Sequence, residues 1–197
     1  MSKWDERYAG GGYLFGTEPD GFLASQAHHI PLGPVLCIAE GEGRNAAWLA
    51  GRGHQVTAMD ASAVGMKKAR RLATAKGVNI TTEVTDLDGF DFGRECWCGI
   101  VLTFGHLLPE LRREVSRGIV RGLKPGGVVI IEVYTPDQLE FKTGGPSSPD
   151  LLVRAEVLGE DYKELELLHL AETEREVIEG TLHVGRAHVA QLVGLKA

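Results

Sequence analysis

The stretch EGEGRNAAWLA, residues 40–50, decides the fold. It follows the apolar run PVLCIA (34–39) and leads into a segment of helical period that Gly51 and Gly53 bring to an end. A buried strand, a turn holding Gly41 and Gly43, and a helix therefore follow one another. Residues without a bulky side chain let the backbone turn this tightly and let a ligand approach it. The next apolar run, HQVTAMD (54–60), ends on Asp60, 17 positions after Gly43. A carboxylate at that place can accept both hydroxyl protons of a ribose, so two strand ends cradle one nucleoside.

Outward from this unit the same alternation continues. A helix is expected from about Ala63 to Lys76, stopped by Gly77 and Asn79, before a third strand, VNITTEV (78–84), that ends near Thr85 and Asp86. CGIVLTF (98–104) reads as a fully buried fourth strand, and LPELRREVSRGIVRGL (108–123) as an amphipathic helix. LKPGG breaks that helix and opens the fifth strand, GVVIIEVY (127–134). The segment TPDQLEFKTGGPSSPD (135–150) reads as a long loop, a helix is expected over 151–158, and the tail alternates about Glu179 and Gly180 as a terminal antiparallel hairpin. Short β-branched runs separated by helical segments define an α/β fold with a doubly wound, mostly parallel sheet.

Of the 197 residues 43% are hydrophobic, enough for one core, so residues 1–197 are expected to form a single domain. It divides into 1–30 (helices), 34–134 (cofactor-binding core), 135–150 (substrate loop) and 151–197 (helix and hairpin). The net charge is -6 and the longest basic cluster, Lys67, Lys68, Arg70 and Arg71, reads as the wet side of a helix, which argues against nucleic acid as a partner. The three cysteines are odd in number and Cys37 sits in a buried strand, so a reducing compartment fits and a disulfide framework does not. Cys96 and Cys98 lack a second pair and read as packing, and His183 and His188 should face opposite sides of a strand, so no metal is expected. With no signal-like apolar region and no run near the ~18 residues of a membrane span, a cytoplasmic protein is expected.

Gly41, Gly43 and Ala46 also fit the GxGxxA pattern of dinucleotide enzymes, which leaves an NAD(P)-dependent oxidoreductase open. A helical prelude of some 30 residues, Asp86 after the third strand and the terminal hairpin are foreign to such an enzyme. With these features the chain resembles class I S-adenosylmethionine-dependent methyltransferases, particularly the branch of tellurite-resistance and small-thiol methyltransferases. The resemblance implies seven strands in the order 3214576, the last antiparallel, with S-adenosylmethionine at the carboxyl ends of the first strands. Gly41 and Gly43 would line the methionine moiety, Asp60 the ribose, and Asp86 with Leu87 the adenine edge. Ala39, Glu40, Asn45, Ala61, Thr103 and Phe104 complete the implied cofactor site. The family carries an acid in the first strand and a Gly-Cys pair before the turn, where this chain has Cys37, Ala39 and Glu40. Glu40 either accepts a hydrogen bond from the cofactor's ammonium or faces solvent.

Methyl transfer from a sulfonium requires a nucleophile held in line and kept dry. A thiolate or a reduced metalloid needs little help from a base, which points to a small, soft acceptor. By position, His106 and Tyr134 are the catalytic candidates, and Tyr13, Phe15, Gly144 and Gly145 the substrate contacts; the plainer reading of His106 is a capping or packing histidine beside Leu107 and Leu108. The segment WDERYAGGGYLFGTEPDGFL (4–23) resembles a lid whose aromatic residues Trp4, Tyr8, Tyr13 and Phe15 face the positive sulfonium. A non-catalytic protein that binds S-adenosylmethionine is the alternative.

Overall fold

The computed structural model describes residues 3–180 and 183–197, without the side chains of Lys3 and His183. The expectation about how His183 and His188 face therefore falls partly outside the described residues.

Period-two alternation in the central strands sends side chains to both faces of one sheet. In β1 (Pro34–Ile38), Val35 and Cys37 enter one apolar cluster while Leu36 and Ile38 enter another. The first cluster is closed by α2 (Gly21–Gln26), α3 (Arg44–Ala50) and α4 (Ala63–Ala75), through Leu23, Leu49, Met66 and Ala69. The second is closed by α5 (Pro109–Gly122) and α7 (Ala155–Asp161), through Val115, Ile119 and Leu158. Covered on both faces, β1, β4 (Trp97–Thr103) and β5 (Leu123–Tyr134) read as near-continuous apolar runs, as parallel strands do.

The remaining strands are β2 (Gln55–Asp60), β3 (Thr81–Val84), β6 (Glu166–Glu179) and β7 (His183–Leu195). Their order is β3-β2-β1-β4-β5-β7-β6, with β7 antiparallel to both neighbours and the other pairs parallel. This is the expected 3214576 sheet. Because the parallel strands run the same way, their carboxyl ends form one edge, where the turn after β1, Asp60, Thr103 and Tyr134 all lie. A short α1 (Lys3–Tyr8) packs beside α4 above this edge.

The third strand begins at Thr81 instead of Val78 and the fifth at Leu123 instead of Gly127, and two further differences from the sequence reading bear on the site. The helix expected over 151–158 begins at Ala155, because Val153 N–H donates to the Tyr134 carbonyl and keeps the chain extended, and Ala155 N–H is capped by Glu172 Oε1 at 2.8 Å. The 135–150 loop contains a one-turn helix, α6 (Gln138–Phe141), and the buried Gln138 amide pins it. Its Nε2 donates to Thr143 Oγ1 and the Gly144 carbonyl, and its Oε1 accepts from His188 N–H. Among the described residues no helix is long and apolar enough to cross a membrane.

Candidate functional site

The turn after β1 is built by backbone conformations that ordinary side chains resist: φ is 63° at Gly41 and 91° at Gly43, with Ala39 also positive at 50°. Gly43 is required a second time, since a Cβ there would lie 2.5 Å from Ala69 Cα and separate α3 from α4. Being glycine, Gly43 offers no side chain to cap α3. Glu40 supplies the cap instead, its Oε1 accepting from Asn45 N–H at 2.9 Å and Ala46 N–H at 2.8 Å. The acid displaced from the strand thus serves the helix start. Burial outweighs these bonds and raises the Glu40 carboxyl to about 7.

A carboxyl whose pKa is higher folded than unfolded binds its proton more tightly in the native state, so its contribution to stability is full in acid and is lost as pH rises toward about 7. Thermal melts from pH 4.5 to 7.5 should show a loss of up to about 3 kcal/mol from this group. Glu40→Gln should flatten that slope; a variant with the wild-type slope would remove Glu40 as its source.

Asp60, at the tip of β2, accepts from Gly41 N–H at 2.9 Å through Oδ2 and from Ser62 N–H at 2.8 Å through Oδ1. It is buried, and burial raises its carboxyl above the ordinary range. The expected ribose acid therefore also fixes the glycine turn. Ala61 follows it on the surface, Asp86 is exposed beyond β3, and Leu87 turns into the core. Asn45 joins three parts of the site: Nδ2 donates to Thr103 Oγ1 at 2.8 Å, and Oδ1 accepts from Asp20 N–H at 2.8 Å.

The residues expected on the acceptor side begin at Phe104, whose φ is 53° and whose ring centroid lies 4.7 Å from that of Tyr134. His106 stacks parallel to Tyr134 at 5.4 Å, oriented by a 3.1 Å contact of Nδ1 with the Leu151 carbonyl. Gly145 passes over the Tyr134 ring so closely that a Cβ would lie 2.7 Å from it. Tyr134 is 1% exposed, and burial raises its hydroxyl pKa, so it stays protonated. The amino-terminal segment covers the turn: Tyr8 places its hydroxyl over Gly41, Trp4 stacks on Tyr8 at 5.5 Å, and Phe15 meets it edge-on at 6.4 Å. Tyr13 lies beside α4, its hydroxyl donating to the Lys68 carbonyl.

Sequence reasoning missed a buried ionic network at the same edge. Arg175 of β6 donates through Nε to Glu132 Oε1 at 2.7 Å, and through Nη2 to Glu132 Oε2 at 2.9 Å, Asp20 Oδ2 at 3.0 Å and Glu179 Oε1 at 3.1 Å. Asp20 and Glu132 are both 0% exposed, and burial together with Glu132 pushes the Asp20 carboxyl well up. Arg44 joins the network through Nη2, 2.6 Å from Glu179 Oε2, and its Nη1 is buried without a hydrogen-bond partner. The one visible signal was Glu132, an acid inside the run VVIIEVY. A second cluster, Asp137, Glu172 and His188, brings together groups of metal-ligating type. There Arg154 already supplies positive charge, donating to both Asp137 oxygens at 2.6 and 2.7 Å and to Glu172 at 3.0 Å.

The strand order and the glycine turn at the carboxyl edge define a Rossmann-like, class I methyltransferase fold. Residues 35–127 match a family described as methyltransferase domain. Over 126 residues the chain is 32% identical to a 2-heptyl-1-hydroxyquinolin-4(1H)-one methyltransferase of Mycobacteroides abscessus, an alignment covering 60% of this chain and 55% of the relative. The chain thus spans about half the length of that curated relative. A solved structure concerned with conversion of a disulfide bond into a thioacetal group during echinomycin biosynthesis superimposes with a TM-score of 0.77 at 20% identity, over 98% of this chain and 87% of the other. TehB from Haemophilus influenzae gives 0.73 at 21%, over 98% and 66%. NodS, an N-methyltransferase from Bradyrhizobium japonicum solved with S-adenosyl-L-homocysteine, gives 0.67 at 15%, over 89% and 81%. Residues 35–127 are thus similar to a methyltransferase domain, and the fold is the one shared with solved S-adenosylmethionine-dependent methyltransferases.

The residues present fit that cofactor. A positive-φ turn admits a ligand to the backbone, Asp60 offers carboxylate oxygens at the neighbouring strand tip, and Arg44 Nη1 is a buried donor suited to a carboxylate.

Proposed function

We propose that this protein methylates a small, soft nucleophile, a thiol or a metalloid oxyanion, with the thiol favoured. The observation that carries the reading is the aromatic stack of Phe104, Tyr134 and His106 beside the glycine turn, an apolar platform that excludes water from one side of a reacting atom. Gly41, Gly43, Ala39 and Arg44 would hold the methionine end of S-adenosylmethionine, Asp60 and Ala61 the ribose, Asp86 and Leu87 the adenine, with Asn45 and Thr103 bracing the turn. Glu40 would act through the helix it caps.

When bound, the cofactor supplies an electrophilic methyl group. The acceptor would lie between Phe104 and the segment bearing Tyr13, Phe15, Gly144 and Gly145, with His106 oriented to receive a proton where the acceptor carries one. The thiol is favoured over an oxyanion because Arg175 directs its donors to Glu132, Asp20 and Glu179, so the nearest guanidinium is already committed to carboxylates. A heterocyclic hydroxyl, the group suggested by the quinolone relative, suits the same platform.

The test is release of S-adenosylhomocysteine with alkyl and aryl thiols, tellurite, selenite, phenols, N-hydroxyquinolones and amines presented side by side. Turnover greatest with thiols is expected. Turnover confined to amines or hydroxyl compounds would reject the soft-nucleophile reading, and cofactor binding with no turnover on any acceptor would identify a non-catalytic binder.

A further inference from the structure

Beyond Glu40, the charged residues Glu42 and Arg44 tie the glycine turn and helix start to the chain segments that cover them. Glu42, between the two glycines, is 4% exposed and accepts from Leu14 N–H at 2.6 Å through Oε2 and from Lys68 Nζ at 2.8 Å through Oε1. The same ammonium donates to the Gly12 carbonyl at 2.6 Å. Arg44 faces the other way and pairs with Glu179 at the end of β6.

Gly12 and Leu14 belong to the amino-terminal segment between α1 and α2, whereas Glu179 belongs to the β6–β7 hairpin. These two covers also touch. Gly180, with φ 65°, comes so near the Leu14 carbonyl and Gly16 that no Cβ fits there, and a Cβ on Gly16 would lie 3.1 Å from Gly180 N. Arg175 adds a second tie, holding Glu179 and Asp20 on one nitrogen.

We propose that Glu42 and Arg44 are positioning residues that latch the amino-terminal segment and the hairpin tip over the cofactor turn, so that the two covers open and close as one unit. The physical case rests on what the pairs are for. A buried ion pair adds little stability over an apolar pair of equal volume, but it fixes which elements meet and in what register. Glu42 is unnecessary for the turn itself, which the glycines make. Its carboxylate is spent entirely on the lid and on the lysine that also holds the lid. A shift of the turn therefore pulls the lid through Glu42 and the hairpin through Arg44, and Arg175, bonded to Asp20 of the one cover and Glu179 of the other beside the close Gly16–Gly180 approach, ties the two covers together. Cofactor and acceptor would then enter through one opening event, a consequence that rests on the methyl-transfer reading above.

The experiment is hydrogen exchange of the full chain, read on peptides from 3–16 and from 166–180, with peptides from β1 and β4 as controls for global unfolding. Glu42→Gln retains an acceptor for Leu14 N–H but loses the ion pair; Lys68→Met removes the pair from its other side. Both are expected to raise exchange about tenfold in both covers while the β1 and β4 peptides stay protected. Acceleration confined to 3–16 would overturn the coupling. If a variant unfolds as a whole, the wild-type protein still decides: S-adenosylhomocysteine should protect both covers with one midpoint, and two separate midpoints would defeat the proposal. Failure of S-adenosylhomocysteine to bind at all would instead reject the cofactor reading, and the ligand-free comparison of variants would still report on the latch.

Discussion

Arg175→Met is expected to destabilise the fold by about 3 to 5 kcal/mol, because it strips the counter-charge from carboxylates that cannot reach water. Glu132 and Asp20 are fully buried, and Arg175, 20% exposed, is the group that meets both. For a chain of this size the loss corresponds to roughly 10 °C in melting temperature. Arg175→Lys should recover only part of it, since one ammonium cannot reproduce the paired Nε and Nη2 bonds to Glu132. The deficit should also shrink in acid, where the orphaned carboxyls take up protons. A melting temperature within about 2 °C of wild type would mean that the carboxylates find other partners.

Asp60→Ala is expected to weaken binding of S-adenosylhomocysteine by about 100-fold or more, near 3 kcal/mol, in a calorimetric titration. Two losses combine: the acceptor for the ribose hydroxyls, and the Oδ2 bond that holds Gly41 N–H in the turn. Asp60→Asn, which keeps one carbonyl oxygen, should fall between the two. A folded Asp60→Ala protein with unchanged affinity would sink the proposed cofactor site.

The parts of the fold legible in sequence are those set by local chemistry. PVLCIA and CGIVLTF announce buried strands because both faces of a parallel sheet are covered, and Gly41 and Gly43 announce a turn because few other residues adopt their backbone angles. The order of the strands came through the family resemblance, since periodicity states what an element is and not where it lies. The start of α7 was hidden for a related reason: Val153 is held extended by Tyr134, and Ala155 is capped by Glu172, a partner from a later strand. Glu40 looked like a departure from a motif. Only the geometry reveals a carboxylate folded back onto the two N–H groups that Gly43 cannot cap.

The ionic network was the least legible part of the site. Asp20, Glu132 and the Arg175–Glu179 pair come from three distant parts of the chain, and Arg175 and Glu179 sit in a stretch rich in charge, where a surface role is the ordinary reading. Glu132 is the one of them inside an apolar run, and a lone acid in a strand does not name its partner. His106 kept its two readings into the structure, which adds its alignment with Tyr134 and Leu151.

The terminal hairpin leaves β6 as the outermost strand, with one side of its backbone paired to β7 and the other without a neighbouring strand among the described residues. Half-exposed Leu168 and Leu170 at its beginning would invite a second chain to add itself there. Glu166, Glu174 and Glu176 stand exposed along the same strand, so two such edges laid together would set glutamates against glutamates. The strand that carries Arg175 into the interior thus also works as a repellent rim, discouraging the sheet from growing from one molecule into the next.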